Sequence, residues 1–396
     1  MSFRSAVASV ALSLANLLVW FVAVGSSNAV SAQTYDLPGS RVEFTQIASC
    51  DDRDLGDQGG LPGGTCYTAK IYGCPGETDG NTPFTARVKI NQYVGQFKGD
   101  IFFMTGGGGT NWCDHVGNPP PNGWFNCGQT GTENCGLQIV TNLNTAGFTI
   151  VQTNMTEING SQTTEPAGWL TGSANDGPRA LACRYATLLK HVWSDKLNSA
   201  QPVCATGNSG GAAAVAYALT QYGLGKNNGP GPVIAFAEIT SGPALGRLDH
   251  GCNVNVPQKS TPSACGPATR YTYDVDHEAL PYIDPPYTGE VHTQKQTNDY
   301  CANHIVFTNP AAPVRATWWH DSVFSDDFPA PRYDTRIRAL FGGQDPSAAV
   351  ALGSEWFNAV GSTKSWKCVD SAGHDLPGSD AGVAQITADL IASCHQ

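Results

Sequence analysis

Gly207-Asn208-Ser209-Gly210-Gly211 reads G-x-S-x-G and occurs once in the chain. An apolar run, Pro202–Thr206, precedes it and an alanine-rich segment, Ala212–Leu219, follows. Strand, tight turn and helix is the setting in which a serine hydroxyl is pushed out as a nucleophile. Glycines suit such a turn because a Cβ on either side would clash with the reversed backbone. A serine hydroxyl is weak at neutral pH. It needs a base, and the base needs a third group to fix its tautomer.

Two downstream residues can fill those roles. The apolar run Ile337–Phe341 ends in Gly342-Gly343-Gln344-Asp345, and the run Trp366–Val369 leads into Asp370-Ser371-Ala372-Gly373-His374. An acid and a histidine that each follow a strand fall on the same rim as Ser209, with a helix between them and another after His374. Asp345 is therefore the expected acid and His374 the expected base. Asp321, Asp326, Asp327 and Asp334 compete less well, because they precede the strand. A fourth element, Thr105-Gly106-Gly107-Gly108-Gly109-Thr110, follows the apolar run Asp100–Met104. Glycines there let backbone N–H groups face a developing oxyanion, with Gly210 as a second donor and Gly107 or Gly108 as the first. A phosphate loop would need a following Gly-Lys-Ser/Thr, and none follows.

The elements that must position these residues are legible as well. Tyr67–Tyr72 and Phe84–Tyr93 alternate apolar and polar residues, as half-buried strands do. Phe148–Gln152 and Val233–Ile239 are continuous apolar runs, expected for strands covered on both faces. Arg179–Lys196 has helical periodicity through Leu181, Tyr185, Leu188, Leu189 and Val192, and Ala381–Ala392 is expected to close the chain as a helix. Strands alternating with helices imply a mostly parallel, twisted α/β sheet flanked by helices. Residues 243–333 break that rhythm. With Cys252, Cys265 and Cys301 they read as a disulfide-stapled, lid-like insertion between two late strands. Residues 33–65 read as turn-rich and polar. Their Asp51, Asp52, Asp54 and Asp57 lack the spacing and the glycine of a calcium loop.

These residues resemble the α/β-hydrolase superfamily over residues 67–394. The resemblance implies an α/β-hydrolase fold, a Ser209–Asp345–His374 triad and an oxyanion hole. It implies a serine esterase working through an acyl-enzyme, with no cofactor and no metal. The glycine run resembles the His-Gly-Gly-Gly motif of esterases and lipases, with Thr105 in place of the histidine. A serine peptidase of the same fold is the alternative reading, and a non-catalytic binding protein the third. Substrate contacts are expected from Asn208 and from aromatics bordering the cleft: Trp112 in segment 110–136, and Trp318 and Trp319 in the insertion. The expected partner is a small or polymeric ester.

Composition bounds the setting. Arg4, an apolar run from Ala6 to Val24 and the small residues Val30-Ser31-Ala32 read as a secretion signal over residues 1–32. That leaves 33–396 as one catalytic domain in a secreted protein, with no membrane anchor after cleavage. The chain holds 13 Cys. With an export signal these read as disulfides, and the odd number leaves at least one thiol over. Cys204, in the apolar run before the serine, is the expected free thiol, and Cys368–Cys394 an expected pair. The net charge of −11 with no basic cluster argues against nucleic acid and anionic lipid. Asn154-Met155-Thr156 and Asn159-Gly160-Ser161 are glycosylation acceptors in a host that glycosylates.

Overall fold

A nine-stranded sheet runs through the chain in the computed structural model, which describes residues 40–47, 61–74, 83–106, 109, 126–127, 133–155, 168–170, 177–227, 231–248, 265, 320–324, 333–345 and 347–395. Residues 34–396 form one compact unit. The expected signal segment 1–32 and most of the insertion lie outside the described residues.

The strands are β1 (Arg41–Ile47), β2 (Thr65–Tyr72), β3 (Phe84–Asn91), β4 (Gly99–Thr105), β5 (Asn126–Cys127), β6 (Glu133–Asn134), β7 (Phe148–Asn154), β8 (Val203–Asn208), β9 (Ile234–Thr240), β10 (Arg336–Gly342) and β11 (Lys364–Val369). β5 and β6 form a separate two-stranded ribbon. The main sheet is ordered β1-β2-β3-β7-β4-β8-β9-β10-β11. β1, β2, β3 and β7 pair antiparallel in turn, and from β7 to β11 every pairing is parallel. All eight expected strands form, with ends shifted by a few residues. β1 was not expected, yet its burial alternates, with Val42 and Phe44 partly covered.

Side chains alternate between two apolar layers, as the pleat requires. In β4, Phe102 and Met104 join one layer and Ile101 and Phe103 the other. Two helices, α1 (Cys135–Thr145) and α6 (Asp380–Ser393), cover the Ile101 face through Ile139, Leu143, Ile386 and Leu390. α3 (Cys183–Asp195), α4 (Gly210–Thr220) and α5 (Ala348–Ala359) cover the other, with the short α2 (Gly177–Leu181) preceding α3. The single helix expected over 179–196 is divided between α2 and α3 at Ala182, whose own backbone stays helical. α4 is buried along Gly210–Leu219. Alanine suits it because there is no solvent face and little room between helix and sheet.

Cysteine pairing corrects two expectations. Cys204 is not a free thiol; it is bonded to Cys394 at the end of α6. Cys368 pairs with Cys265, not with Cys394. This tie anchors the insertion to β11. Cys74–Cys183 links the segment after β2 to the start of α3, and Cys66 and Cys135 are also disulfide-bonded. Asn154 is buried at the end of β7, so the first glycosylation acceptor is inaccessible in the folded chain.

Candidate active site

Parallel strands put their following loops on one rim. Gly106 follows β4, Ser209 follows β8, Asp345 follows β10 and His374 follows β11. The shared direction of these strands, not closeness in sequence, gathers the four segments.

The turn after β8 has the backbone its sequence implies. Ser209 sits at φ 55°, ψ −117°, a region that costs a non-glycine residue on the order of 1–3 kcal/mol. Bonds on either side hold it there. Ser209 N–H donates to Thr240 O at 3.0 Å, and Ser209 O accepts Ala213 N–H, opening α4, at 3.1 Å. A Cβ on Gly207 would lie 2.4 Å from the Gly211 carbonyl carbon, so position 207 excludes every other residue. Thr240 Oγ1 braces the strand end, donating to Gly207 O at 3.0 Å and facing Asn208 Oδ1 at 2.9 Å. Asn208, expected against substrate, is 1% exposed and serves this brace instead of a cleft wall.

Asp345 and His374 meet directly, with Asp345 Oδ2 3.0 Å from His374 Nδ1. Asp345 is buried and the imidazole is partly exposed. Burial by itself would raise the Asp345 carboxyl. The adjacent His374, its hydrogen bond, and hydrogen bonds from the Ser347 side chain and backbone outweigh burial and hold the carboxyl below its ordinary value. It is thus a fixed anion beside the ring.

Ser347 was not anticipated. Its N–H donates to Asp345 Oδ1 at 2.8 Å and its Oγ lies 2.9 Å from His374 Nδ1. In sequence it reads only as a helix N-cap before α5.

The glycine run is partly assigned. Gly106 N–H is taken up by Asn208 O at 3.2 Å and Gly109 N–H by Gly106 O at 3.3 Å. Neither is free for an oxyanion. Trp169, also unanticipated, donates its Nε1–H to Gly106 O at 3.4 Å. Gly107 and Gly108, the expected donors, lie outside the described residues, as do Trp112, Trp318 and Trp319. Gly210 is the first residue of α4, where backbone N–H groups have no intrahelical partner.

No protein-family model matches the chain, and no curated protein matches it. Solved structures similar to it include acetyl xylan esterase 1 from Thermoanaerobacterium sp., at 11% identity and TM-score 0.43 over 84% of this chain and 82% of that one. An esterase from Pyrobaculum calidifontis is 13% identical, with TM-score 0.40 over 90% and 87%. Dienelactone hydrolase from Anabaena variabilis is 11% identical, with TM-score 0.40 over 78% and 90%. The exchange of β4 and β7 in the strand order, the parallel half that follows and the strained serine turn after β8 define an α/β-hydrolase fold.

Proposed function

We propose that the protein is a serine hydrolase that cleaves carboxylic esters. The observation that carries this reading is the 3.0 Å contact of buried Asp345 with His374 Nδ1, on the rim where Ser209 stands on its strained turn. A carboxylate can only accept, so Nδ1 holds the proton and Nε2 is left as the base. His374 takes the Ser209 proton as the hydroxyl attacks the ester carbonyl. Gly210 N–H, with Gly107 or Gly108, holds the oxyanion. His374 then passes the proton to the departing alcohol. Water, deprotonated by the same histidine, releases the acid from the acyl-enzyme and restores Ser209. The N-terminal end of α4 adds a partial positive charge beside the developing anion.

The disulfides support folding in an oxidising compartment, in keeping with residues 1–32 as a secretion signal. Substrate choice on this reading lies with Trp112, Trp318 and Trp319.

A fluorophosphonate probe and a panel of short aryl esters and peptide amides test the proposal. The expected result is labelling and ester turnover by the parent protein, and neither by a folded Ser209→Ala variant. Ester turnover retained by that variant would overturn the nucleophile assignment. Amide cleavage in place of ester cleavage would move the reading to a peptidase.

A further inference from the structure

Ser347 occupies the residue before α5, where a serine side chain ordinarily accepts a backbone N–H of the first helical turn. Its backbone is that of an N-cap, at φ −79°, ψ 155°, but its side chain makes no capping bond. The hydroxyl is turned the other way, 2.9 Å from His374 Nδ1. The residue is buried, so the hydroxyl is held in this direction by its surroundings.

The proton arrangement follows from donor and acceptor types. Nδ1 carries one hydrogen, and the Asp345 carboxylate claims it as acceptor. Ser347 Oγ can then meet that N–H only with a lone pair. Its own O–H is then free to face the Asp345 carboxylate, which the Ser347 side chain helps to hold below its ordinary value. Ser347 N–H adds a further bond to the same carboxylate at 2.8 Å. One residue thus bonds the acid through its backbone and gives the histidine a second acceptor through its side chain.

We propose that Ser347 is a positioning residue of the hydrolytic site. It locks the Nδ1–H tautomer of His374 and stabilises the imidazolium that forms when Ser209 attacks. The proposal rests on the triad reading above. The helix forgoes its cap bond to place this hydroxyl, so deleting the hydroxyl removes no cap. Among the described residues, Asp345, from the loop before α5, and Asp375, which follows His374 in the chain, bear electrostatically on the ring. Without the Ser347 acceptor the imidazolium is held less well, and the acid limb of kcat/KM moves to lower pH.

The test compares Ser347→Ala, Ser347→Gly and Ser347→Thr with the parent and with Ser209→Ala, using one aryl ester across a pH series. In Ser347→Ala, kcat is expected to fall about 10-fold, as for loss of one hydrogen bond to a charged group. KM and the melting temperature should stay near the parent's, and the acid limb should shift down. Ser347→Thr, which keeps a hydroxyl, should restore both kcat and the limb. Ser347→Gly keeps a backbone suited to the cap position, so it decides the matter if the alanine variant does not fold. A folded hydroxyl-deletion variant with an unmoved acid limb would overturn the proposal, whether or not kcat fell. Turnover retained by Ser209→Ala would instead defeat the triad reading on which it stands.

Discussion

Gly342 and Gly373 meet backbone to backbone: a Cβ on Gly342 would fall 2.2 Å from the Gly373 carbonyl oxygen. The loop after β10 is nested in the loop after β11. Gly343 N–H donates to Val369 O and Gln344 N–H to Ala372 O, each at 2.9 Å, and a Cβ on Gly343 would lie 2.6 Å from Asp370 Cα. This nesting carries Asp345 to His374, so Gly342 and Gly343, where a Cβ would clash, belong to the site as much as to the fold.

Gly342→Ala should therefore part the two loops. The expected cost is about 1–3 kcal/mol of stability, with a loss of ester turnover larger than the unfolded fraction explains. Denaturant unfolding and kinetics on the same sample check this. Parent-like turnover would show that the loops can separate without harm.

Asp345→Asn keeps the shape and removes the charge. The amide can present N–H to His374 Nδ1 and so favour the wrong tautomer. A fall in kcat on the order of 10⁴-fold is expected, with the fold intact, by analogy with the same change in other serine triads. Steady-state kinetics beside circular dichroism measures it, and a loss under tenfold would remove Asp345 from the triad.

Glu238 is fully buried in β9, and among the described residues neither carboxyl oxygen has a hydrogen-bond partner. Burial pushes its carboxyl well above the ordinary range, Asp389 adds to this and Arg338 opposes it. The sign follows from proton counting. In the unfolded chain Glu238 ionises near its usual value of about 4.3, while in the folded chain it holds its proton to higher pH. Stability from this group is full below the unfolded value and is lost as pH rises through that window. Glu238→Gln should accordingly lose less melting temperature than the parent as pH is raised from about 5 to about 8. Equal slopes in thermal melts would mean that Glu238 ionises in the native protein.

The Cys204–Cys394 bridge joins the strand that leads to Ser209 to the end of α6, across a sequence separation of 190. Both sulfur-bearing residues are buried. A Cys204→Ala/Cys394→Ala double variant should lose about 2–4 kcal/mol of stability, read as a lower denaturation midpoint. An unchanged midpoint would mean the helix is held by packing alone.

The reach of the sequence varied with the kind of question. Strand–turn–helix around Ser209, the glycine before it and the rim positions of Asp345 and His374 were legible because each follows from local pattern and chain order. Parallel strands turn that order into a shared edge without further information. β1 was legible in principle from the alternation of Val42 and Phe44, but its polar flanks concealed it. Cysteine partners were not legible: pairing depends on which Cα atoms come within about 4.4–6.8 Å, and Cys204 and Cys394 are distant in the chain. Side-chain direction was not legible either. Asn208 turns to Thr240 because the strand end buries it, and Ser347 turns from its helix to His374 because the β10 and β11 loops nest. The sequence by itself determined which residues reach the rim and in what order. Only the tertiary structure decided which way they face, since direction is set by packing between segments far apart in the chain.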